Sequence, residues 1–102
     1  MSSKRAIVIL NRGSGRQDGD QAENTIRSAF ARHGITAEFI HIDKRNDPAG
    51  AAREALSWGQ GIIAVAGGDG TISGVSSAMV DHDRPLGIIP QGTFNYFARS
   101  MG

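Results

Sequence analysis

The sequence predicts an α/β domain, a Rossmann-like three-layer αβα arrangement around a mainly parallel sheet. Three observations predict it. Short apolar runs recur along the chain, each run is followed by a helical pattern, and three of the four runs stop at a glycine-containing segment. With 102 residues there is material for one domain and one core, and neither an internal repeat nor a low-complexity linker divides it.

The elements follow in order. Ala6-Ile7-Val8-Ile9-Leu10 is a β-branched run ended by Asn11, Ile62 to Ala66 a second ended by Gly67-Gly68, and Leu86 to Ile89 a third ended by Pro90. Unbroken apolar runs of this length suit strands buried on both faces. Ala37 to Ile42 is more mixed and is expected nearer an edge, with the first and third strands in chain order central. Between the strands, Ala22, Ile26, Ala29, Phe30 and His33 fall on one helical face, with Asp20 and Glu23 as an N-terminal box and Gly34 as the stop. The next helix opens with Asp47 as cap and Pro48 in the first turn, buries Ala52, Ala55 and Leu56, and ends at Trp58-Gly59. Ile72, Val75, Ser76, Met79 and Val80 mark a third helix, and Phe94, Phe97, Ala98 and Met101 a fourth starting near Thr93. The order β-α-β-α-β-α-β-α favours right-handed crossovers. The fourth helix is followed by nothing to pack on, so the chain is expected to be a truncated piece of a longer protein.

Composition narrows the function. Lys+Arg 11 against Asp+Glu 10 leaves a net charge of +1, which gives no reason to expect nucleic-acid binding by bulk charge. The absence of cysteine excludes disulfides, thiolate metal sites and a cysteine nucleophile. No signal-peptide pattern and no apolar stretch of bilayer length occurs, so a cytoplasmic location is expected. Glycine is in excess at 14 residues, which suggests backbone that turns tightly or approaches a ligand closely.

Ligands of such sheets bind at the carboxyl ends of the strands. Three segments meet there: Asn11-Arg12-Gly13-Ser14-Gly15-Arg16, Gly67-Gly68-Asp69-Gly70-Thr71 and Pro90-Gln91-Gly92-Thr93-Phe94-Asn95. In the middle one, glycines let main-chain N–H groups reach a phosphate without a Cβ in the way. Thr71, at the helix start, can cap that helix or touch a phosphate oxygen. Asp69 can accept a proton from a hydroxyl nucleophile or hold magnesium through water. An isolated G-x-G would be read as an ordinary tight turn. Gly-Gly-Asp-Gly-Thr between a buried strand and a helix is far more specific and is read as a phosphate site.

The first loop fails the dinucleotide fingerprint, since Asp18 takes the third glycine's place, and no P-loop sequence occurs. Arg12 and Arg16 can neutralise phosphate charge or be solvated surface arginines. In the third loop Gly92 and Thr93 offer N–H and O–H donors, or simply cap a helix; Asn95 can bond within the loop or hold a neighbouring one, and Phe94 and Phe97 read as core. Asp43 can contact ribose or adenine, although a solvated turn suits it better, and Lys44-Arg45 can face the same cleft. His33, His41 and His82 lack metal-ligand spacing and read as surface or core residues, Asp81-His82-Asp83 as a polar loop, and Trp58 as packing.

Asn-x-x-Ser-Gly at Asn11 to Gly15, Gly-Gly-Asp-Gly-Thr at Gly67 to Thr71 and Pro-x-Gly-Thr-x-Asn-x-Phe-Ala at Pro90 to Ala98 occur in one order along essentially the whole chain. This resembles the catalytic, nucleotide-binding domain of the diacylglycerol kinase family, which includes sphingosine kinases and bacterial lipid kinases. NAD kinases and phosphofructokinases share the glycine-aspartate motif more distantly. The resemblance implies a phosphofructokinase-like N-terminal domain spanning residues 1–102, with ATP as phosphoryl donor, Mg2+ as cofactor and a lipid hydroxyl, such as that of diacylglycerol, as acceptor. It implies that Asn11 to Gly15, Gly67 to Thr71 and Thr93 line the nucleotide site, with Asp69 as base or magnesium organiser. Arg12 stands where the family usually has proline, and Tyr96 where many members have aspartate. Family members are longer, with a β-rich C-terminal domain that closes the cleft and binds the lipid at a membrane surface. That domain is absent from this sequence, so the chain is expected to bind nucleotide, to lack efficient activity alone, and to meet the inner membrane face only peripherally.

Competing readings are an NAD-kinase-like or sugar-kinase-like relative, separated by acceptor competition, and a non-catalytic nucleotide- or phosphate-binding module acting with a partner chain, separated by supplying the missing domain in trans. A further one is a homo-oligomer formed through the exposed cleft face, which concentration-dependent sedimentation would show.

Overall fold

The computed structural model describes residues 4–11, 16–42, 47–59, 61–82 and 84–90; for residues 16–20, 69 and 90 the backbone alone is described. The elements are β1 (Lys4–Asn11), α1 (Arg16–Arg32), β2 (Ile35–Ile42), α2 (Pro48–Ser57), β3 (Ile62–Gly67), α3 (Asp69–Met79) and β4 (Leu86–Pro90). All four strands run parallel, in the order β2-β1-β3-β4. The mixed-sequence strand, β2, is at an edge, and β1 and β3 are central, as the composition of the runs predicts.

Strand alternation splits the core into two layers. Ile7 and Ile9 of β1, with Ile63 and Val65 of β3, face α2 and α3 and meet Ala51, Ala52, Ala55, Val75 and Met79. Val8 and Leu10, with Ala64 and Ala66, face the other way and meet Ala22 and Ile26 of α1, with Phe30 and Phe39 packed alongside. Helices therefore cover both sheet faces, which is why Ala6 to Leu10 is unbrokenly apolar: each of the five is at most 1% exposed.

Each helix has a local cause. α1 repeats a buried or packed apolar residue every fourth position, at Ala22, Ile26 and Phe30. It stops where Gly34 takes φ +72, a left-handed conformation open to glycine, and the Gly34 N–H donates to the Ala31 carbonyl. α2 is capped by Asp47, whose Oδ1 accepts from the Gly50 N–H at 2.7 Å, with Pro48 following where a missing N–H costs nothing. Its buried face is all alanine, and its first residue lies close to α3: a Cβ on Gly74 would fall 2.7 Å from the Pro48 Cβ.

Five expectations need correction. The run Ile62 to Ala66 is buried only from Ile63 onward, because Ile62 begins β3 at the sheet's rim and is 39% exposed. α1 begins at Arg16, so Asp20 lies inside the helix and does not form an N-terminal box with Glu23, which bonds elsewhere. His33 falls in the turn after α1 and is exposed. Val80 is the residue after α3, not part of its buried face, and is 77% exposed. β4, read as buried on both faces, is the outer strand among the described residues; Ile89 packs on the α1-side layer, but Ile88 is 52% exposed. The predicted fourth helix, near Thr93 onward, lies outside the described residues.

Candidate functional site

The strand order reverses direction between β1 and β3. β1 sends the chain through α1 on one sheet face to β2, whereas β3 sends it through α3 on the opposite face to β4. At such a switch point the two connections diverge and leave a crevice above the carboxyl ends of the strands. Asn11 ends β1 and Gly67 ends β3 at this place, one step beyond the paired residues Leu10 and Ala66.

A single residue, Gly68, separates β3 from α3. It has extended backbone, φ −84 and ψ −176, and as the cap residue it gives the helix start no side-chain hydrogen bond. The first bond within the helix runs from the Ile72 N–H to the Gly68 carbonyl at 3.0 Å, so the N–H groups of residues 69, 70 and 71 have no partner inside the helix. Such an end attracts anions through its unpaired donors and the positive pole of the helix dipole. By contrast, the neighbouring α2 start is closed by the Asp47 carboxylate.

Thr71 is the third residue of α3 and not its cap, a correction to the reading of its hydroxyl as a capping group. It is buried, and its Oγ1 accepts a hydrogen bond from Asn11 Nδ2 at 2.8 Å. This bond ties the end of β1 to the first turn of α3, 60 residues later in the chain. Gly67 lies in the angle between them: a Cβ there would stand 3.1 Å from the Thr71 Cβ and 3.2 Å from the Asn11 Cβ. Gly70 is different. A Cβ added to it would meet nothing within 4 Å.

Of the residues the sequence nominates, the fold brings Asn11, Gly67, Gly68, Gly70 and Thr71 together. Asp69 is the first residue of α3 and Arg16 the first of α1. Arg12, Gly13, Ser14, Gly15, Asp43, Gly92, Thr93 and Asn95 lie outside the described residues.

Sequence reasoning missed one cluster. Glu23 Oε1 lies 2.6 Å from His41 Nε2, and its Oε2 accepts from Arg27 at 2.7 Å. The Arg27 guanidinium sits 5.0 Å over the Phe39 ring, which stacks with His41. Burial pushes the Glu23 carboxyl up, but the hydrogen bonds and positive charge of His41 and Arg27 outweigh it and leave it below the ordinary value. The available signals were the four-residue spacing of Glu23 and Arg27 and the alternation that puts Phe39 and His41 on one face of β2. His41 pairs in register with Leu10, close to the strand ends, but faces α1; the Asn11–Thr71 bond lies on the opposite face. The cluster therefore clamps α1 to β2 and is not part of the crevice.

The chain belongs to the diacylglycerol kinase catalytic domain family, whose pattern matches residues 5–102. It is 38% identical over 101 residues to a diacylglycerol kinase of Bacillus subtilis, covering 97% of this chain and 33% of that protein. It is 41% identical over 105 residues to the Escherichia coli protein named "Probable lipid kinase YegS", again covering 33% of its length. An uncharacterized Synechocystis protein is 52% identical over 84 residues, which are 80% of this chain and 19% of that one. The chain thus spans about a third or less of the length of these relatives. No helix among the described residues is long and apolar enough to cross a membrane.

Proposed function

We propose that this chain is the nucleotide-binding part of an ATP-dependent lipid kinase, which transfers the γ-phosphoryl of ATP to a lipid hydroxyl such as that of diacylglycerol. The observation that carries the reading is Gly70. Glycine in a helix costs about 1 kcal/mol relative to alanine. Gly67 has a packing reason for lacking a Cβ; Gly70 has none, since the space beside it is open. A bare backbone kept at the uncapped start of α3, at the switch point of a parallel sheet, suits an anionic group seated against main-chain N–H donors. A phosphate chain is such a group, and membership of a kinase family names its source as a nucleotide.

The residues fit ATP and its metal in distinct roles. The N–H groups of residues 69 to 71, which have no partner inside the helix, would receive phosphate oxygens, and the Thr71 hydroxyl adds a donor beside them. Asp69, at the head of α3, is the carboxylate available to organise Mg2+ through water or to take the proton from an attacking hydroxyl. The ion would supply charge neutralisation on the transferring phosphoryl group. For phosphoryl transfer, positioning of this kind accounts for most of what a protein contributes. The lipid would be bound by segments outside this sequence, since the relatives are about three times longer.

The test is calorimetric titration with Mg–ATP of the wild-type chain, Gly70→Ala and Asp69→Ala. Gly70→Ala is expected to melt no lower than wild type, because its Cβ has room, yet to bind Mg–ATP at least tenfold more weakly. A folded wild-type chain that ignores Mg–ATP, or a Gly70→Ala variant that binds it equally well, overturns the reading.

A further inference from the structure

We infer that Asn11 is a positioning residue for the phosphate site: it acts through Thr71, by turning the threonine hydroxyl into an obligate donor toward the ligand. The inference rests on the nucleotide reading above and assigns a role within it.

A threonine hydroxyl has one proton and two acceptor lone pairs. In a helix its χ1 divides between two rotamers, because Oγ1 can turn back to a carbonyl of the preceding turn. Here the Asn11 amide donates to Oγ1 from β1 at 2.8 Å, which selects the rotamer that turns Oγ1 toward the strand ends. One lone pair is thereby occupied, and the proton must go to an acceptor. Among the described residues none takes it. The N–H groups of residues 69 to 71 at the same helix start are themselves donors and offer the proton nothing. Thr71 is only 5% exposed, so bulk water does not readily serve. An anion seated at the start of α3 supplies the missing acceptor, and the hydroxyl joins the main-chain donors around it.

The packing holds this polarity in place. Asn11 is the last residue of β1, a strand whose five preceding residues are all buried, so its backbone cannot drift. Gly67 leaves room for the Asn11 and Thr71 side chains to meet, since any Cβ there would press on both. Three residues from three elements therefore set one hydroxyl.

The experiment is a double-mutant cycle on Mg–ATP affinity using the intact chain, with Asn11→Ala, Thr71→Val and the pair, and with Thr71→Ser as the conservative control. Each single variant is expected to weaken binding about tenfold, and the pair also about tenfold, because both remove the same oriented proton. Thr71→Ser is expected to bind within about threefold of wild type and to remain sensitive to Asn11→Ala. Asn11→Leu, which matches the amide's bulk, replaces Asn11→Ala if the smaller side chain unfolds the protein. A pair that loses about a hundredfold shows that Asn11 touches the nucleotide independently and overturns the inference while the nucleotide reading stands. So does an Asn11 variant that binds as wild type does. A folded wild-type chain that binds no Mg–ATP removes the nucleotide reading, and the positioning role falls with it.

Discussion

Glu23 and His41 are joined across 18 residues of sequence by a 2.6 Å contact that fastens α1 to the edge strand β2. The second carboxylate oxygen of Glu23 is taken by Arg27 on the same helix. Among the described residues β2 has one neighbouring strand, β1, and here it gains a second attachment, to α1 across the sheet face.

Because the Glu23 carboxyl sits below its ordinary value in the folded chain, the unfolded chain binds its proton more tightly. Its contribution to stability is therefore complete above the ordinary glutamate range and is lost as the pH falls through the lowered folded value. Glu23→Gln should cost about 1 kcal/mol at neutral pH and flatten the acid limb of the stability curve. Urea denaturation between pH 3 and 7 checks both; an unchanged acid limb in the variant would refute the assignment.

At Gly74 two effects oppose each other. Alanine would gain about 1 kcal/mol of helix propensity, but its Cβ would fall 2.7 Å from the Pro48 ring at the start of α2, which has little freedom to yield. Overpacking of this kind costs about 1–3 kcal/mol, so a net loss of about 1 kcal/mol and a lower melting temperature are expected for Gly74→Ala.

Gly67→Ala and Gly70→Ala should differ in sign although both glycines belong to one motif. The first forces the Asn11 and Thr71 side chains apart and is expected to destabilise by about 1–2 kcal/mol. The second meets open space and is expected to be neutral or stabilising. Thermal melts of the two variants side by side make the comparison.

Asp47→Ala removes the side chain that accepts the Gly50 N–H, and a loss of about 1 kcal/mol is expected. Asp47→Ser, which can make the same bond, should recover most of it in the same denaturation assay.

Much of this architecture is legible in the sequence, for identifiable reasons. Strands buried on both faces must be apolar throughout, and Ala6 to Leu10 and Ile63 to Ala66 of the two central strands are so buried, although Ile62 at the start of β3 is not. The Asp47-Pro48 start of α2 and the Gly34 stop of α1 are set by local chemistry and are legible in the residues themselves. What depends on contacts between elements is not legible in this way. The helix α1 runs back to Arg16, and Glu23 bonds His41 on another element, which no spacing within the helix reveals. Ile88 and Ile89 look alike as residues, yet one is exposed and the other packed, because the outer strand is covered unequally on its two faces. At the candidate site, residue type nominates the glycine loop and Thr71. It does not reveal the Asn11–Thr71 bond, which depends on β1 and β3 being neighbours, a fact of topology.

The joint between β3 and α3 is one residue long. A connection that short has almost no slack, so α3 behaves as a rigid arm bolted to the middle of the sheet. Val65 and Ala66, at the sealed centre of the molecule, thereby become the bearing on which the crevice is aligned. Changes made deep under the sheet should surface as errors of aim at the start of α3, and a survey of core substitutions would map this mechanical chain better than any scan of the crevice itself.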